Sequence, residues 1–223
     1  MNLRLKTLGV GLLLAVAMSS SSSPPAPAET GGHFVSDAPN GFTYLQGVET
    51  ESEFTRLYVL GGSIRCTTAT YSELTAFATE TVLNFLPTYE KCYYGAHEAG
   101  NTVNVTMNGC EYFFTFSKKP TSDNTVYLEC PAGKKIELHV NSGGSSVCTL
   151  SIPTQVVKGG VAYTTFTFEG KHAITADVTV SEIFHERHGL CSLMGTNATN
   201  GQLSGSAVVL GSENGKYVNI TAT

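Results

Sequence analysis

Hydrophobic and polar residues alternate along the stretch from Asn101 to Cys130, which reads NTVNVTMNGCEYFFTFSKKPTSDNTVYLEC. Asn108-Gly109 lies between two alternating runs and predicts a two-residue type I′ hairpin turn, because both turn positions need a positive φ. A second turn near Lys119-Pro120 completes a predicted antiparallel meander of three strands. The two registers agree, since both place the same apolar side chains on one face: Val103, Val105, Met107, Cys110, Tyr112, Phe114, Phe116, Val126, Leu128 and Cys130.

The opposite face of this meander is polar, as expected for a sheet that packs on a core from one side. Phe113 and Tyr127 lie on it among carboxylates such as Glu111 and Glu129. Either a second sheet or loop covers Phe113, or the two rings form an exposed surface that stacks against sugar or peptide. Tyr93-Tyr94, in a predicted loop after Cys92, joins the same candidate binding surface.

The rest of the chain predicts further short strands. Ile136, Leu138 and Val140 alternate with polar residues and face Ile152, Leu150 and Cys148 in a predicted hairpin. Residues 71–92 have both helical and alternating spacing, and we expect a short helical turn near 72–79 before an edge strand that tolerates proline. About a dozen short strands in residues 41–223 predict a single all-β domain, an antiparallel β-sandwich or barrel stapled by disulfides.

The N-terminus has the pattern of an export signal over residues 1–28. A basic start with Arg4 and Lys6 precedes an apolar run from Leu8 to Met18, and Ala26-Pro27-Ala28 offers a cleavage site. An uncleaved signal anchor is the alternative. Residues 29–40 then predict a disordered Ser/Pro/Gly-rich leader. We expect a secreted or extracellular protein, either released or held at the cell surface, that meets the membrane only through its signal peptide during export.

Charge and cysteine content limit the classes of binding partner and the environment that we expect for this protein. The formal net charge is −5, and the basic residues form no patch, so nucleic acid and anionic membrane surfaces are not expected to bind. The chain has six cysteines, an even number that predicts three disulfides in an exported protein. The derived register places Cys110 opposite Cys130 within disulfide reach. Sequence order suggests Cys66–Cys92 and Cys148–Cys191.

Several segments of the chain carry a resemblance. The segments are IRCTTAT, PTYEKC, VTMNGCEYFFTF, ECPAGKKIEL, CTLSIPTQ and GTNATNGQLSGSAVVLG. Together they resemble a group of exported, six-cysteine, Thr- and Gly-rich β proteins of high-GC Gram-positive bacteria that have no assigned activity. The resemblance implies export, disulfides and β architecture, and it assigns no catalytic residue.

Candidate chemistry is sparse. His185-Glu186-Arg187-His188 lacks HExxH spacing and predicts a solvated loop near Cys191, with a metal or acid–base site as the alternative. The carboxylates of Glu49, Glu51 and Glu53, like Glu111 and Glu129, predict solvated faces. We therefore assign no catalytic, metal or cofactor residue and expect a non-catalytic binding or envelope-associated structural protein whose ligand is a glycan or a protein surface. The alternatives are a hydrolase with a carboxylate or histidine site from distant strands and a small secreted inhibitor of a protein partner.

Overall fold

The computed structural model describes residues 33–49, 55–75, 78–95, 101–115 and 125–222. The predicted signal peptide and residues 29–32 of the predicted leader lie outside these ranges. The strands are β1 Phe34–Ser36, β2 Thr43–Glu49, β3 Thr55–Val59, β4 Gly62–Thr75, β5 Thr79–Glu80, β6 Val82–Tyr94, β7 Asn101–Thr106, β8 Glu111–Thr115, β9 Thr125–Glu129, β10 Ile136–Ser142, β11 Ser145–Ile152, β12 Gln155–Phe168, β13 Lys171–Gly189, β14 Asn197–Glu213, β15 Lys216–Val218 and β16 Ile220–Ala222. A 3₁₀ segment, Leu190–Met194, joins β13 to β14.

Thirteen of the strands form one sheet, and β1, β5 and β16 form a second, smaller one. All pairs in the large sheet are antiparallel, and the pairings β11–β13, β4–β6 and β3–β14 close it on itself. Eight positions follow one another around the ring, and four of them are each shared by two strands. In order they hold β2 and β3 together; β4; β6; β7 and β8 together; β9 and β10 together; β11 and β12 together; β13; and β14. The sheet is therefore an up-and-down barrel, and the prediction of an all-β antiparallel fold is confirmed.

Alternation along each strand fills the barrel interior. In β3 the side chains of Thr55, Leu57 and Val59 are buried while those between them are exposed. The same period of two places the largest fully buried apolar side chains, including Leu45, Ile64 and Leu150, in one continuous core. The hairpin of β10 and β11 has the predicted register, with Val140 opposite Cys148 and Ile136 opposite Ile152.

The hairpin predicted at Asn108-Gly109 is wrong. Both residues have positive φ, 53° and 79°, and the amide of Cys110 donates to the carbonyl of Met107 at 2.8 Å, so the turn itself forms. However, β7 and β8 pair with β6 and not with each other: Cys92 pairs with Val103, and Phe85 with Tyr112. β7 and β8 therefore lie one after the other along β6. The chain from Val103 to Tyr112 is two residues longer than the facing segment of β6 from Phe85 to Cys92. The Asn108-Gly109 turn accommodates the extra length as a protrusion.

The helical turn predicted near 72–79 is also wrong where the structure describes it. Residues 62–75 form β4, and 79–80 form β5. Among the described side chains here, Tyr71 packs edge-on against Phe85 and Tyr89 inside the barrel. Pro87 is fully buried in β6, which is not an edge strand. It lies between the residues of β6 that pair with β8 and those that pair with β7, so the missing amide hydrogen falls in a gap of that ladder.

The small sheet covers one end of the barrel. Phe34 of β1 and Ile220 of β16 are both fully buried, and Phe34 lies over the interior beside Tyr71, Leu83 and Phe85. The predicted disordered leader is therefore wrong for residues 34–36. Alternation around Val35 gives this short segment two inward side chains, and pairing with β16 and β5 satisfies its backbone.

Three disulfides staple the barrel. They join Cys66 to Cys92, Cys110 to Cys130 and Cys148 to Cys191, which are the three pairs suggested by the sequence. The first joins directly paired residues of β4 and β6, and the third ties the 3₁₀ segment to β11. Disulfides of this kind indicate an oxidising environment.

Candidate functional site

The barrel interior has little room for a ligand. Among the described residues, cavities of about 60 Å³ and 40 Å³ lie in the interior, both lined mainly by apolar side chains and both touching Phe114 and Val178. Ligand pockets are usually several times larger, roughly 300 Å³ or more. The interior is therefore a packed core, and binding has to be sought on the outside of the barrel.

Hydroxyl groups inside the barrel are structural. The hydroxyl of Tyr89 donates to that of Tyr112 at 3.4 Å, and the hydroxyls of Tyr71 and Thr55 are also 3.4 Å apart. Burial raises the pKa of Tyr112 to about 12 and that of Tyr89 well above its usual value. These phenols stay neutral at physiological pH and satisfy one another in the core.

The cluster His185 to His188 lies on β13 and not in a solvated loop. His185 is fully buried and Arg187 nearly so, because alternation along β13 turns both inward. The Nδ1 of His185 lies 3.3 Å from the carbonyl of Ile183, and its Nε2 accepts from the Nε of Arg187 at 3.3 Å. Burial first, and then the nearby guanidinium, lower the pKa of His185. A neutral histidine held in this way is a core residue that orients Arg187.

The aromatic pair predicted from the sequence lies on the outer face of the barrel. Phe113 on β8 and Tyr127 on β9 are directly paired and half-buried, with ring centroids 5.9 Å apart. Asn84 of β6 pairs with Phe113 on one side, and Val156 of β12 pairs with Tyr127 on the other. The side chain of Val156 is 54% exposed. A row across four strands thus presents two rings and an aliphatic group to solvent.

Two carboxylates flank this row. Glu111 and Glu129 are directly opposed on β8 and β9. The side-chain amide of Asn84 donates to Glu111 at 2.9 Å. Within the described ranges neither carboxylate takes part in an ion pair. Like charges directly opposite each other on neighbouring strands repel and destabilise the sheet. A cation bound from outside the protein would reduce this repulsion.

A groove of about 230 Å³ joins these features. Its lining consists of Gly109, Glu111, Phe113, Glu129, Cys130 and Pro131. The turn at Asn108 forms one wall, and a second turn after Cys130 forms the other, closed by the amide of Lys134 donating to the carbonyl of Pro131 at 2.8 Å. The side chain of Asn108 donates to the carbonyl of Lys135 at 2.8 Å and locks the two turns together. We call this groove, with Asn84, Tyr127 and Val156, the Phe113 surface.

Tyr93 and Tyr94 do not belong to the Phe113 surface. Both lie at the end of β6 and not in a loop, and the hydroxyl of Tyr94 donates to the carbonyl of Leu60 at 3.2 Å. Tyr93 is nine residues from Asn84 along β6, about 30 Å at the rise of a strand. The predicted binding surface therefore separates into Phe113 and Tyr127, which the fold brings together, and two tyrosines that it places elsewhere.

Sequence reasoning missed Asn84, Val156 and Pro131. Asn84 and Val156 lie on strands distant in the chain, and only ring closure brings them beside the aromatic pair. Pro131 lies in the turn after Cys130. This turn meets Gly109 only because the turns at Asn108-Gly109 and after Cys130 lie at neighbouring positions of the barrel. The alternation around Val156 was the available signal, since it marks that side chain as outward-facing.

Comparison with family models, curated proteins and solved structures found no match to this chain. The resemblance to exported bacterial β proteins therefore stays a prediction. Within the described ranges, no three histidine, cysteine or acidic side chains are grouped to hold a metal ion. None of the helical structure described has the length and hydrophobicity needed to cross a membrane.

Proposed function

We propose that this protein is a secreted, non-catalytic binding domain that holds a protein partner on the Phe113 surface. The partner presents a lysine or arginine side chain beside apolar residues. The observation that carries this proposal is the directly opposed pair Glu111 and Glu129 next to the rings of Phe113 and Tyr127. Secretion is supported by the export pattern of residues 1–28 and by the three disulfides.

The chemistry of the surface fits such a partner. A cation placed between the two carboxylates is attracted by their negative charges. It also lies within reach of an aromatic face, which attracts cations by its quadrupole. The exposed side chain of Val156 extends the apolar strip that a neighbouring hydrophobic residue would cover. An apolar centre with a charged rim is the usual anatomy of a protein interface. The strip spans four strands, about 14 Å, which is enough for one extended segment.

Calorimetric titration with a short peptide tests the proposal. The probe is an acetylated five-residue peptide of alternating lysine and leucine, and its twin carries glutamate in place of each lysine. We expect the lysine peptide to bind with a dissociation constant of about 1 mM or below and the glutamate twin not to bind. Glu111→Gln with Glu129→Gln should weaken binding about 10-fold, because each exposed charge contact contributes at most about 1 kcal/mol.

A matched control removes the same charge elsewhere. Glu90→Gln with Glu169→Gln takes two carboxylates from other exposed positions and should leave binding unchanged. Raising the salt concentration should weaken wild-type binding and have little effect on the Glu111/Glu129 variant, because screening acts on the charges that the variant lacks. Equal binding of both peptides, or equal loss in both double variants, would contradict the proposal.

The opposed carboxylates also favour a second candidate, a glycoside hydrolase. Directly opposed strand residues have Cβ atoms about 5 Å apart, which is near the separation of carboxyl groups in retaining enzymes. The other acidic set considered does not form a solvated row in the described part of the chain, because Glu49 is half-buried and burial raises its pKa, while Glu51 and Glu53 lie outside that part. Nitrophenyl glycosides distinguish the candidates: a hydrolase releases nitrophenol and loses this activity in either single glutamine variant, whereas the proposed binding domain releases none.

A further inference from the structure

A second and larger groove lies on the outside of the barrel where β3, β4 and β14 meet. Its volume is about 570 Å³, and its lining comprises Tyr58, Val59, Gly61, Gly62, Ser63, Gly95, Asn200 and Gln202. We call it the Tyr58 groove. Around the ring, β3 lies three positions from β8 and four from β9, the strands that carry Phe113 and Tyr127, so the two surfaces lie on different sides of the barrel. One small ligand cannot contact both.

The register of the strands gathers the polar side chains on one face. Tyr58 pairs with Gln202 of β14 on one side and with Ser63 of β4 on the other. Paired residues point to the same face of a sheet. Asn200 precedes Gln202 by two positions on the same strand, and both side chains are exposed. Tyr58 is 41% exposed, so its ring is available for stacking.

The walls of the groove are held by hydrogen bonds. The turn from β3 to β4 is a tight one in which Leu60 and Gly61 have φ of 56° and 73°. The hydroxyl of Tyr94 donates to the carbonyl of Leu60 at 3.2 Å and supports this turn from below. On the other side, the amide of Gly95 donates to the carbonyl of Ser63 at 2.8 Å. The groove is therefore formed before a ligand arrives.

The chemistry of the lining identifies the ligand class. Two primary amides and a hydroxyl offer donors and acceptors, a phenol ring offers a stacking face, and the glycines expose backbone groups at close range. The lining residues carry no acidic or basic side chain apart from the phenol. Such a site matches a neutral molecule with many hydroxyl groups and flat C–H faces.

We propose that the Tyr58 groove binds neutral carbohydrate. A sugar ring stacks on Tyr58, and its hydroxyls bond to the amides of Asn200 and Gln202 and to Ser63. The Tyr58 groove does not depend on the Phe113 surface, since the two share no residue. Together they would let the domain hold a polysaccharide on one side and a protein on the other, as an envelope-associated linker does.

The test is an NMR titration of the full-length secreted protein with three neutral tetrasaccharides: cellotetraose, mannotetraose and fully acetylated chitotetraose. We expect at least one to bind with a dissociation constant below about 10 mM and to shift the signals of Tyr58, Asn200 and Gln202. Tyr58→Ala should weaken that binding at least 10-fold, and Asn200→Ala with Gln202→Ala about as much. Added salt should change it little, because no charge is involved.

Tyr44→Ala is the matched control. Tyr44 is also an outward tyrosine beside β14, is 44% exposed, and pairs with Ser212, ten residues from Gln202 or about 33 Å along the strand. This variant should bind like the wild type, and unfolding curves should show that all variants are folded. No binding of any tetrasaccharide, binding that survives Tyr58→Ala, or equal loss in Tyr44→Ala would overturn the proposal. Peptide binding at the Phe113 surface should persist in Tyr58→Ala, so failure of one proposal is distinguishable from failure of the other.

Discussion

Phe114 divides the interior of the barrel, and removing its ring tests the described fold. Its side chain is 6% exposed and touches both internal cavities, of about 60 Å³ and 40 Å³. Its ring packs against Phe85 and Tyr112, with centroids 5.8 Å and 6.1 Å away. Phe114→Ala should therefore merge two small voids into one large apolar cavity.

The magnitude follows from two contributions. Loss of the buried ring forfeits about 2 kcal/mol of transfer free energy. The ring also leaves a void of roughly 100 Å³ in addition to the existing cavities, which costs about another 2 kcal/mol at 24 cal/mol per Å³. We expect the free energy of unfolding to fall by about 4 kcal/mol and Tm by about 10 °C for a domain of this size.

Urea unfolding with and without benzene measures this. Benzene should stabilise Phe114→Ala by about 1 kcal/mol at millimolar concentration, because a dry apolar cavity of this size accepts it, and should not stabilise the wild type. The control is Phe113→Ala, which removes the same ring one residue earlier on the outer face and should cost about 1 kcal/mol with no benzene effect. Equal losses in the two variants, or benzene stabilising neither, would refute the placement of Phe114 between the cavities.

Three further outcomes are expected. Because burial lowers the pKa of His185, the folded state binds a proton less readily than the unfolded state. The contribution of His185 to the free energy of unfolding should therefore be complete above pH about 6.5 and be lost as pH falls through the lowered pKa. Urea unfolding at pH 7.5 and 5.0 should show a smaller pH effect in His185→Gln than in the wild type, and an unchanged effect would contradict the burial of this ring. Replacing the disulfide Cys148–Cys191, which spans 43 residues, by two serines should lower the free energy of unfolding by about 4 kcal/mol. The same change at Cys110–Cys130, which spans 20 residues, should lower it by about 3 kcal/mol. A lower Tm for the second variant than for the first in thermal unfolding would contradict this ranking. Gly211→Ala should destabilise strongly, since its Cβ would lie 2.4 Å from Ile220; an unchanged Tm would show that the end sheet is not packed there.

Local patterns predicted those parts of the fold that depend on neighbouring residues. The alternation of β8, β9, β10 and β11 gave correct registers, and the register of β8 with β9 gave the disulfide Cys110–Cys130. The pairing of Phe113 with Tyr127, and hence half of the candidate site, followed from the same alternation.

Ring closure could not be predicted in this way. The Asn108-Gly109 turn has the conformation that its residues demand, yet its strands pair with β6, whose thirteen residues are long enough to accept both. A solvated loop at His185 was expected because its residues are polar, but β13 continues and the alternation buries two of them. Tertiary pairing decides both cases, and a single chain carries no local signal for it.

The most direct test of binding on the Phe113 surface is an NMR titration of the aromatic side chains with the lysine–leucine peptide. We predict that the ring signals of Phe113 and Tyr127 shift with the peptide and that Glu111→Gln with Glu129→Gln removes most of the shift. The ring signals of Tyr44 and Tyr58, which lie elsewhere on the barrel, should stay in place. Shifts confined to those tyrosines, or equal shifts with the glutamate twin, would contradict this prediction.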